Sequence, residues 1–562
     1  MQDGQSTFSN QLRETRRSFE RGWSLVRHQG PGQIRFWFIA LAVGIAAGLV
    51  TLGFRFCIAE LQQAVYGNED VKLLHSFAET LPWWFLLLTP CVGGLAVGII
   101  LHFFTKDGRV RSVADVIEGA ALRDGRVEKR EGIASAFASL ITLSTGGSTG
   151  REGPVVHLSG VVATWVSDRI KADGITGRDL LGCAVAAAVS ASFNAPIAGA
   201  LFALEVVLRH FAVHAFAPIV IASVAGTVIS RVGFGDVTEF RLAEEGALQF
   251  YVELPAFLLL GLVCGLVAVL FMRGLFFADD VANNLQARTG LPGWARPAVA
   301  GLLVGALAIW FPHVIGVGYE TTARALTADL GFTAAFVYCV VKAAAVAITV
   351  AGRMGGGVFS PSLMIGALTG LSFGLVATQL FPEVSGTVGL YALAGMGGVA
   401  AAVLGAPIST TLIVFELTGD WQTGLAVMVA VSMSTALASR MVDRSYFLTQ
   451  LERRNIHVAA GPQAYLLSLH SAAVIMRAMD SPRAASAEQC EALIAKGLFL
   501  QPDATLETAM PMFDRSGEAF IPVLAPPAPG GQEGQLMGAV FHVDALRAYN
   551  RSLAATAAEE HS

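Results

Sequence analysis

Apolar runs fill most of the chain between residues 36 and 455, and short clusters of glycine, proline, serine and charged residues divide them. A helix needs roughly 20 predominantly apolar residues to cross about 30 Å of hydrocarbon. Several runs are long enough, whereas others are too short or too interrupted. The pattern therefore predicts complete membrane-spanning helices together with half-helices that start at membrane depth. From about residue 456 the pattern changes to the strands and helices of a small α/β region.

Two of the interruptions combine glycines with a proline that follows them. The run 132–143 stops at STGG, and a new helix is predicted from Glu152 or Pro154. The run 334–350 ends at AGRMGGG, and the next helix is predicted to start near Pro361. Proline suits the first turn of a helix, and glycine allows the irregular backbone before it. Unpaired N–H groups at such depth are tolerated only where they line a cavity.

The chemistry of a helix start indicates what such a cavity holds. A helix N-terminus carries about half a positive charge and several free N–H donors, so it suits an anion. Two such termini that converge near the midplane would bind an anion without a full positive charge, which permits fast release. The breaks therefore predict an anion pathway, without specifying the anion.

Composition places the chain in a membrane. Of its 562 residues 54% are hydrophobic and 14% are charged, compared with about 25% charged in a soluble domain. Residues 1–35 are polar, carry six arginines and show no cleavable signal peptide. Arginines before the first span, and again after the last apolar run, predict that both termini are cytoplasmic in a multi-pass protein of the inner or plasma membrane. The net charge of −5 gives no reason to expect a nucleic-acid partner.

The chain also resembles itself at a fixed offset. PCVGGLAVG (90–98) recurs as PAVAGLLVG (297–305), 207 positions later, and Pro154 pairs with Pro361 at the same offset. Chance similarity between glycine-rich helices is the alternative explanation. A duplication predicts two membrane halves, 36–235 and 253–455. If each half crosses the membrane an odd number of times, the halves are inverted, an architecture of transporters and channels.

Glu152 lies in the first break, directly before Gly153 and Pro154. Carboxylates inside a bilayer are costly and usually functional. An ionised Glu152 would occupy the anion site itself, and a protonated one could leave it. This would make Glu152 a gate that responds to pH and voltage. The alternatives are a carboxylate that stabilises the helix dipole, or one paired with Arg151.

Long motifs in this order resemble a known family. GREGP (150–154), GGVFSP (356–361), FNAPIAGALFALE (193–205) and Tyr446 resemble the signature motifs of the CLC family of chloride channels and transporters. The resemblance implies an all-α polytopic membrane protein with an inverted repeat of broken and tilted helices. It also implies a homodimer with one chloride pathway in each subunit.

Residue by residue, the resemblance implies that Glu152 is the gating glutamate. The N–H groups of Gly357, Val358 and Phe359 would bind the central anion, and the Tyr446 hydroxyl would contact it. Tyr446 as an interfacial aromatic anchor is the alternative.

The chain departs from the family at two positions. The first family motif is reduced to RSVAD, where Ser112 would be the anion ligand or only the N-cap of a helix, with Asp115 completing a capping box. Val206 replaces the glutamate that follows the position of Glu205 in proton-coupled members. This substitution favours a passive channel over a Cl⁻/H⁺ exchanger. Glu205 itself is a candidate for a proton path, or stabilises structure by accepting backbone hydrogen bonds.

Residues 456–562 are predicted to form a cytoplasmic region that resembles one CBS motif. Asp544 matches the ribose-binding acid, whereas Phe541 stands where a Ser or Thr usually lies, which argues against adenine nucleotide binding and leaves a dimer-stabilising role. No enzyme motif and no cofactor is predicted, and chloride is the permeant ligand. A membrane receptor with a vestigial pore is a third hypothesis, opposed by the intact Glu152 and both half-helix motifs.

Overall fold

The computed structural model describes most of the chain outside the N-terminus and a few loops. The described residues are 30–67, 73–211, 213–235, 250–418, 420–456, 458, 467, 470–481, 483–525 and 535–561. Most of the predicted N-terminal segment 1–35 lies outside them. The chain divides into two compact units, one that takes in residues up to 208 and residues 215–456, and one formed by residues 209–214 and the residues from 457 onward.

The first part of the chain, up to residue 456, is helical. Its α-helices are α1 (Gly30–Tyr66), α2 (Leu74–Ala78), α3 (Trp83–Phe104), α4 (Val113–Leu122), α5 (Lys129–Ser144), α6 (Glu152–Ile170), α7 (Gly174–Phe193), α8 (Pro196–Phe202), α9 (Val213–Phe234), α10 (Phe250–Thr289), α11 (Arg296–Trp310), α12 (Tyr319–Leu326), α13 (Phe332–Ala351), α14 (Phe359–Leu380), α15 (Val388–Leu404), α16 (Pro407–Thr418), α17 (Trp421–Met441) and α18 (Tyr446–Glu452). A π-helix, Ala203–Leu208, continues α8, and short 3₁₀ turns occupy Gly293–Ala295 and Pro312–Val314.

Among the described residues, eight helices are long and apolar enough to cross a membrane. The multi-pass membrane protein predicted from composition is therefore supported by the length of its helices. Shorter apolar helices, including α15 and α16, lie between these spans.

Both predicted breaks are present. α5 ends at Ser144 and α6 begins at Glu152, whereas α13 ends at Ala351 and α14 begins at Phe359. The sequence placed the second start near Pro361, two residues too late. Pro361 occupies the first turn of α14, where its missing N–H has no intrahelical partner to lose.

Two helices form the centre of the membrane unit. α7 is buried from Gly177 to Phe193, and α15 is buried from Gly389 to Leu404. A helix that is apolar on all sides is normally enclosed by other helices. Both are rich in alanine and glycine, which lets neighbouring backbones approach closely in a membrane.

The two halves meet through contacts that occur twice with the roles exchanged. A Cβ added to Gly94 would lie 2.2 Å from the Pro297 carbonyl oxygen, and one added to Gly301 would lie 2.0 Å from the Pro90 carbonyl oxygen. Gly94 and Gly301 are repeat partners, as are Pro90 and Pro297. Exchanged roles indicate a two-fold relation between similar units. The contacts therefore support a duplication over chance similarity.

The second unit is a small α/β structure. Its elements are α19 (Ala472–Ile475), β1 (Arg477–Ala478), α20 (Ala487–Ala495), α21 (Leu506–Ser516), β2 (Phe520–Leu524), β3 (Leu536–Phe541) and α22 (His542–His561). The strands form an antiparallel sheet in the order β1-β3-β2. Leu500 and Val523 form one parallel bridge outside these strands. The core of this second unit contains the buried side chains of Phe513, Ile521 and Val540.

Candidate anion pathway

The two breaks meet face to face. The Gly150 N–H donates to the Gly357 carbonyl oxygen at 2.7 Å, and the Gly357 N–H donates to the Gly150 carbonyl oxygen at 2.8 Å. Gly150 precedes α6 and Gly357 precedes α14, so this bridge brings the two helix starts together. The convergence expected from the sequence is therefore present in the structure.

Glycine is required where the two segments touch. A Cβ added to Gly357 would lie 3.0 Å from the Gly153 backbone nitrogen, and one added to Gly150 would lie 2.7 Å from Glu152 Oε2. Either side chain would push the two helix starts apart or displace the glutamate. The glycine-rich spacing of both motifs thus serves the close approach of two backbones.

A second pair of contacts repeats this symmetry. The Gly355 N–H donates to Thr142 Oγ1 at 3.0 Å, and the Ser148 N–H donates to Thr349 Oγ1 at 3.2 Å. Thr142 and Thr349 are repeat partners, as are Ser148 and Gly355. These bonds give partners to two N–H groups of the irregular backbone, which water cannot reach in a membrane.

One cavity collects all the predicted anion-binding and gating residues. This cavity of about 210 Å³, here called the Tyr446 cavity, is lined among others by Ser112, Glu152, Gly357, Val358, Phe359 and Tyr446. Glu205 is not among its lining residues. The structure thus brings together side chains and backbone from four distant parts of the sequence.

The backbone donors differ from the expectation at one residue. The Gly357 N–H, predicted to bind the anion, is committed to the Gly150 carbonyl oxygen. Val358 is the N-cap of α14 and Phe359 is its first residue, so their N–H groups belong to those without an intrahelical partner. Val358 and Phe359 remain as backbone donors, and Gly357 joins the two halves instead.

Ser112 is an N-cap and also lines the Tyr446 cavity. It is the N-cap of α4, and its N–H donates to Asp115 Oδ2 at 2.6 Å. Its hydroxyl lines the Tyr446 cavity and donates to Gln450 Oε1 at 3.4 Å. A capping position therefore does not prevent the side chain from facing the cavity.

Tyr446 is the first residue of α18 and is 5% exposed. Its ring stacks on Phe276, with the ring centres 5.3 Å apart. A buried ring on the wall of a cavity differs from the exposed aromatic side chain expected of an interfacial anchor. The position favours the pore role.

Glu152 is the first residue of α6 and is 2% exposed. Its Oε1 accepts hydrogen bonds from the Ser360 hydroxyl at 2.5 Å and the Tyr319 hydroxyl at 3.4 Å. Arg151 Nε lies 3.9 Å from the same oxygen, and its guanidinium lies over the Tyr319 ring at 4.8 Å. Arg151 Nε is therefore farther from Glu152 Oε1 than either hydroxyl oxygen is.

A second cavity, of about 330 Å³, is lined by residues that contact Glu152. This His313 cavity is lined by Arg151 and Tyr319 together with His75, His313 and Glu320, among others. Glu152 lines the Tyr446 cavity, and its partners Arg151 and Tyr319 line the His313 cavity. The carboxylate therefore stands between two cavities at the meeting point of the helix starts.

Glu205 and Glu416 occupy equivalent positions away from this site. Glu205 accepts bonds from the N–H groups of Ile408 and Ser409 at 2.9 and 2.8 Å, and from the Ser409 hydroxyl at 2.7 Å. Glu416 accepts bonds from the N–H groups of Ile197 and Ala198 at 2.9 and 2.8 Å. Each glutamate thus caps the start of a helix in the other half.

Replacing either of these glutamates by alanine should lower stability to a similar degree. Each substitution leaves two backbone N–H groups without their side-chain acceptor, which costs roughly 1–3 kcal/mol when such groups are buried. Thermal unfolding of Glu205→Ala and Glu416→Ala in detergent would measure the two losses. A substantial loss for Glu416→Ala with none for Glu205→Ala would contradict the capping role of Glu205.

Sequence reasoning missed Ser360 and Tyr319 as contacts of Glu152. Ser360 carried a signal, because it lies inside the GGVFSP motif next to Phe359. Tyr319 carried none, because no motif surrounds it. The sequence also gave no role to the cationic side chains on the wall of the Tyr446 cavity, which are Arg109, Arg353, Arg453 and Arg454.

The predicted ribose-binding acid of the second unit already has a partner. Asp544 Oδ2 accepts a hydrogen bond from Arg477 Nε at 2.6 Å. The Arg477 guanidinium also lies 4.0 Å from the centre of the Phe541 ring. Asp544 and Phe541, which stands at the usual Ser or Thr position, therefore both contact one arginine.

Comparison with known proteins identifies the family to which the membrane unit belongs. Residues 93–439, well over half of the chain, match the family model described as voltage gated chloride channel. This chain belongs to the CLC family. A ClcB-like chloride channel protein from Ralstonia nicotianae is 33% identical over 396 residues, covering 70% of this chain and 91% of the relative. The resemblance predicted from the motifs is confirmed, and with it a polytopic membrane fold of CLC type.

Two further similarities extend this result. The voltage-gated ClC-type chloride channel ClcB of Escherichia coli is 29% identical over 420 residues, covering 73% of this CLC chain and 97% of that protein. The crystal structure of a slow cyanobacterial Cl⁻/H⁺ antiporter has the same fold, with a TM-score of 0.67 at 21% identity over 75% of this chain and 98% of the antiporter.

Proposed function

We propose that this CLC protein is a pH- and voltage-gated chloride channel of the inner or plasma membrane, with both termini cytoplasmic. It would act as a homodimer with one pathway in each subunit. The observation that carries the proposal is the place of Glu152. Its carboxylate stands between two cavities, where the starts of α6 and α14 converge.

The Tyr446 cavity supplies the groups that would hold a chloride ion next to the gate. The N–H groups of Val358 and Phe359 point from the start of α14, where the helix dipole favours an anion. The Tyr446 hydroxyl would add a side-chain donor on the same wall, and the Ser112 hydroxyl a second one by exchanging Gln450 Oε1 for the anion. Neutral donors bind chloride without the full charge that would slow its release.

The gate works by competition. An ionised Glu152 places its own negative charge at the junction of the cavities and keeps chloride out. Protonation removes that charge, and a change of membrane potential alters the energy of the charged state. Either change allows the side chain to leave and chloride to pass.

A Cl⁻/H⁺ antiporter on the same scaffold is the second candidate, favoured by the fold shared with the cyanobacterial antiporter. Val206 argues for the channel. It is buried in the π-helix Ala203–Leu208 and its side chain cannot carry a proton. The names of the ClcB relatives also favour the channel.

Tyr446→Phe tests the proposed site. The substitution keeps the stack on Phe276 and removes only the hydroxyl. A hydrogen bond to a charged group contributes roughly 1.5–3 kcal/mol, so chloride affinity should fall roughly ten- to a hundredfold. Calorimetric chloride titration of the detergent-solubilised protein gives the affinity, and chloride efflux from proteoliposomes gives transport.

Equal chloride affinities for the wild type and Tyr446→Phe would return Tyr446 to a packing role. Efflux no faster than from empty liposomes, at any pH between about 4 and 7 where the gate should open, would reject the channel itself.

A further inference from the structure

Two hydroxyl groups from the second half of the chain hold the gate of the first half. Ser360, the second residue of α14, and Tyr319, the first residue of α12, both donate to Glu152 Oε1. We propose that these two hydroxyls, here called the hydroxyl latch, are positioning groups that hold Glu152 in its closed place. The proposal rests on the gating role of Glu152 proposed above.

Both donors are fixed before they meet the carboxylate. Ser360 is 3% exposed and lies in the first turn of α14, directly before Pro361. The Tyr319 ring is covered by the Arg151 guanidinium at 4.8 Å. Donors that packing already orients lose little conformational freedom when they bind. The latch therefore stabilises one position of the Glu152 side chain and does not move with that side chain.

The latch favours the ionised gate. An ionised carboxylate only accepts hydrogen bonds, so both hydroxyls can donate to it at once. Glu152 Oε2 has no hydrogen-bond partner within the described part of the chain, and it faces Gly150. Oε1 is thus the latched oxygen, and Oε2 is the oxygen whose lone pairs are left to take a proton. Protonation weakens the carboxylate as an acceptor and releases the latch.

Other charged and titratable groups also face the two cavities. Those of the Tyr446 cavity are Arg109, Asp279, Arg353, Tyr446, Arg453 and Arg454. Those of the His313 cavity are Arg55, His75, Arg151, His313, Tyr319 and Glu320. Burial lowers the pKa of His75, and burial together with the charge of Lys342 lowers the pKa of His313 to about 3. His313 therefore stays neutral over the range in which the gate is expected to titrate.

The test removes each hydroxyl separately and measures chloride efflux from proteoliposomes between about pH 4 and 7, the range that brackets an ordinary or raised carboxyl pKa. Ser360→Ala should move the pH of half-maximal flux upward by about one unit, because a lost bond to a charged group changes the equilibrium roughly tenfold. Tyr319→Phe should shift it in the same direction by less, since its bond is longer. Ser362→Ala is the matched control: it lies on the same helix, but its hydroxyl donates to the Val358 carbonyl oxygen at 2.7 Å.

Shifts in Ser360→Ala and Tyr319→Phe with an unshifted control support the latch. Unshifted profiles in both variants, or an equal shift in Ser362→Ala, overturn it. Glu152→Gln, measured alongside, separates this failure from failure of the gate. A flat profile in Glu152→Gln with unshifted latch variants leaves the gate standing and rejects the latch alone. A wild-type profile in Glu152→Gln rejects both proposals.

Discussion

Glu152→Gln is expected to make chloride flux nearly independent of pH between about 4 and 7, whereas wild-type flux should rise as the pH falls. The amide resembles the protonated carboxyl group in size but carries no charge at any pH. In the proposed mechanism the ionised carboxylate of Glu152 blocks the junction between the cavities. The variant should therefore conduct chloride roughly tenfold or more faster than the wild type at neutral pH, because an ordinary carboxyl group is protonated in fewer than about a tenth of molecules there.

Chloride efflux from proteoliposomes at several pH values measures this effect. Glu320→Gln is the matched control, since it makes the same change on a carboxylate that lines the His313 cavity and accepts a bond from the Ser76 N–H at 3.1 Å. The control should keep the wild-type profile. If Glu152→Gln also kept it, Glu152 would be a structural carboxylate at the start of α6.

A chloride gradient is not expected to drive protons uphill through the wild-type protein. Coupled exchange needs a second protonatable group that passes protons to Glu152, and the position next to Glu205 holds valine. Three donors from Ile408 and Ser409 hold the Glu205 carboxylate, which argues against Glu205 as a substitute proton carrier. Chloride should therefore flow without sustained movement of protons against a pH gradient.

A pH electrode in a suspension of proteoliposomes, with a chloride gradient of about tenfold and no ionophore, gives the measurement; such a gradient corresponds to about 1.4 kcal/mol of driving force. Sustained uphill pumping would establish the antiporter instead of the channel, and Glu205 would be the first residue to replace. Val206→Glu and Val206→Gln form a matched pair of similar size. Pumping gained by the glutamate variant alone would identify residue 206 as the missing proton carrier.

The sequence predicted the local features of the pathway well because they depend on nearby residues. The start of α6 at Glu152 follows from glycines that break the preceding helix and a proline in the next first turn. The same logic placed the start of α14 within two residues of Phe359. The residues at which helices begin and end could be predicted from the sequence because glycine and proline act on their own backbone.

The residues that contact these helix starts were harder to predict from the sequence. Gly357 was expected to donate its N–H to the anion, but the bridge to Gly150 uses that group. The sequence left open whether Ser112 is a helix cap or an anion ligand. Its place on the wall of the Tyr446 cavity could be seen only in the structure. In each case the outcome depended on a residue far away in the chain.

The amino-acid sequence alone was enough to predict a membrane protein of CLC type with two broken helices and a duplicated pattern. Composition and short motifs were enough, because hydrophobic length and backbone breaks are local properties. The groups that surround the carboxylate of Glu152 could be identified only from the folded chain. Ser360 and Tyr319 reach it from 208 and 167 positions along the chain, and no local pattern reports a contact that arises when two halves pack around a common axis.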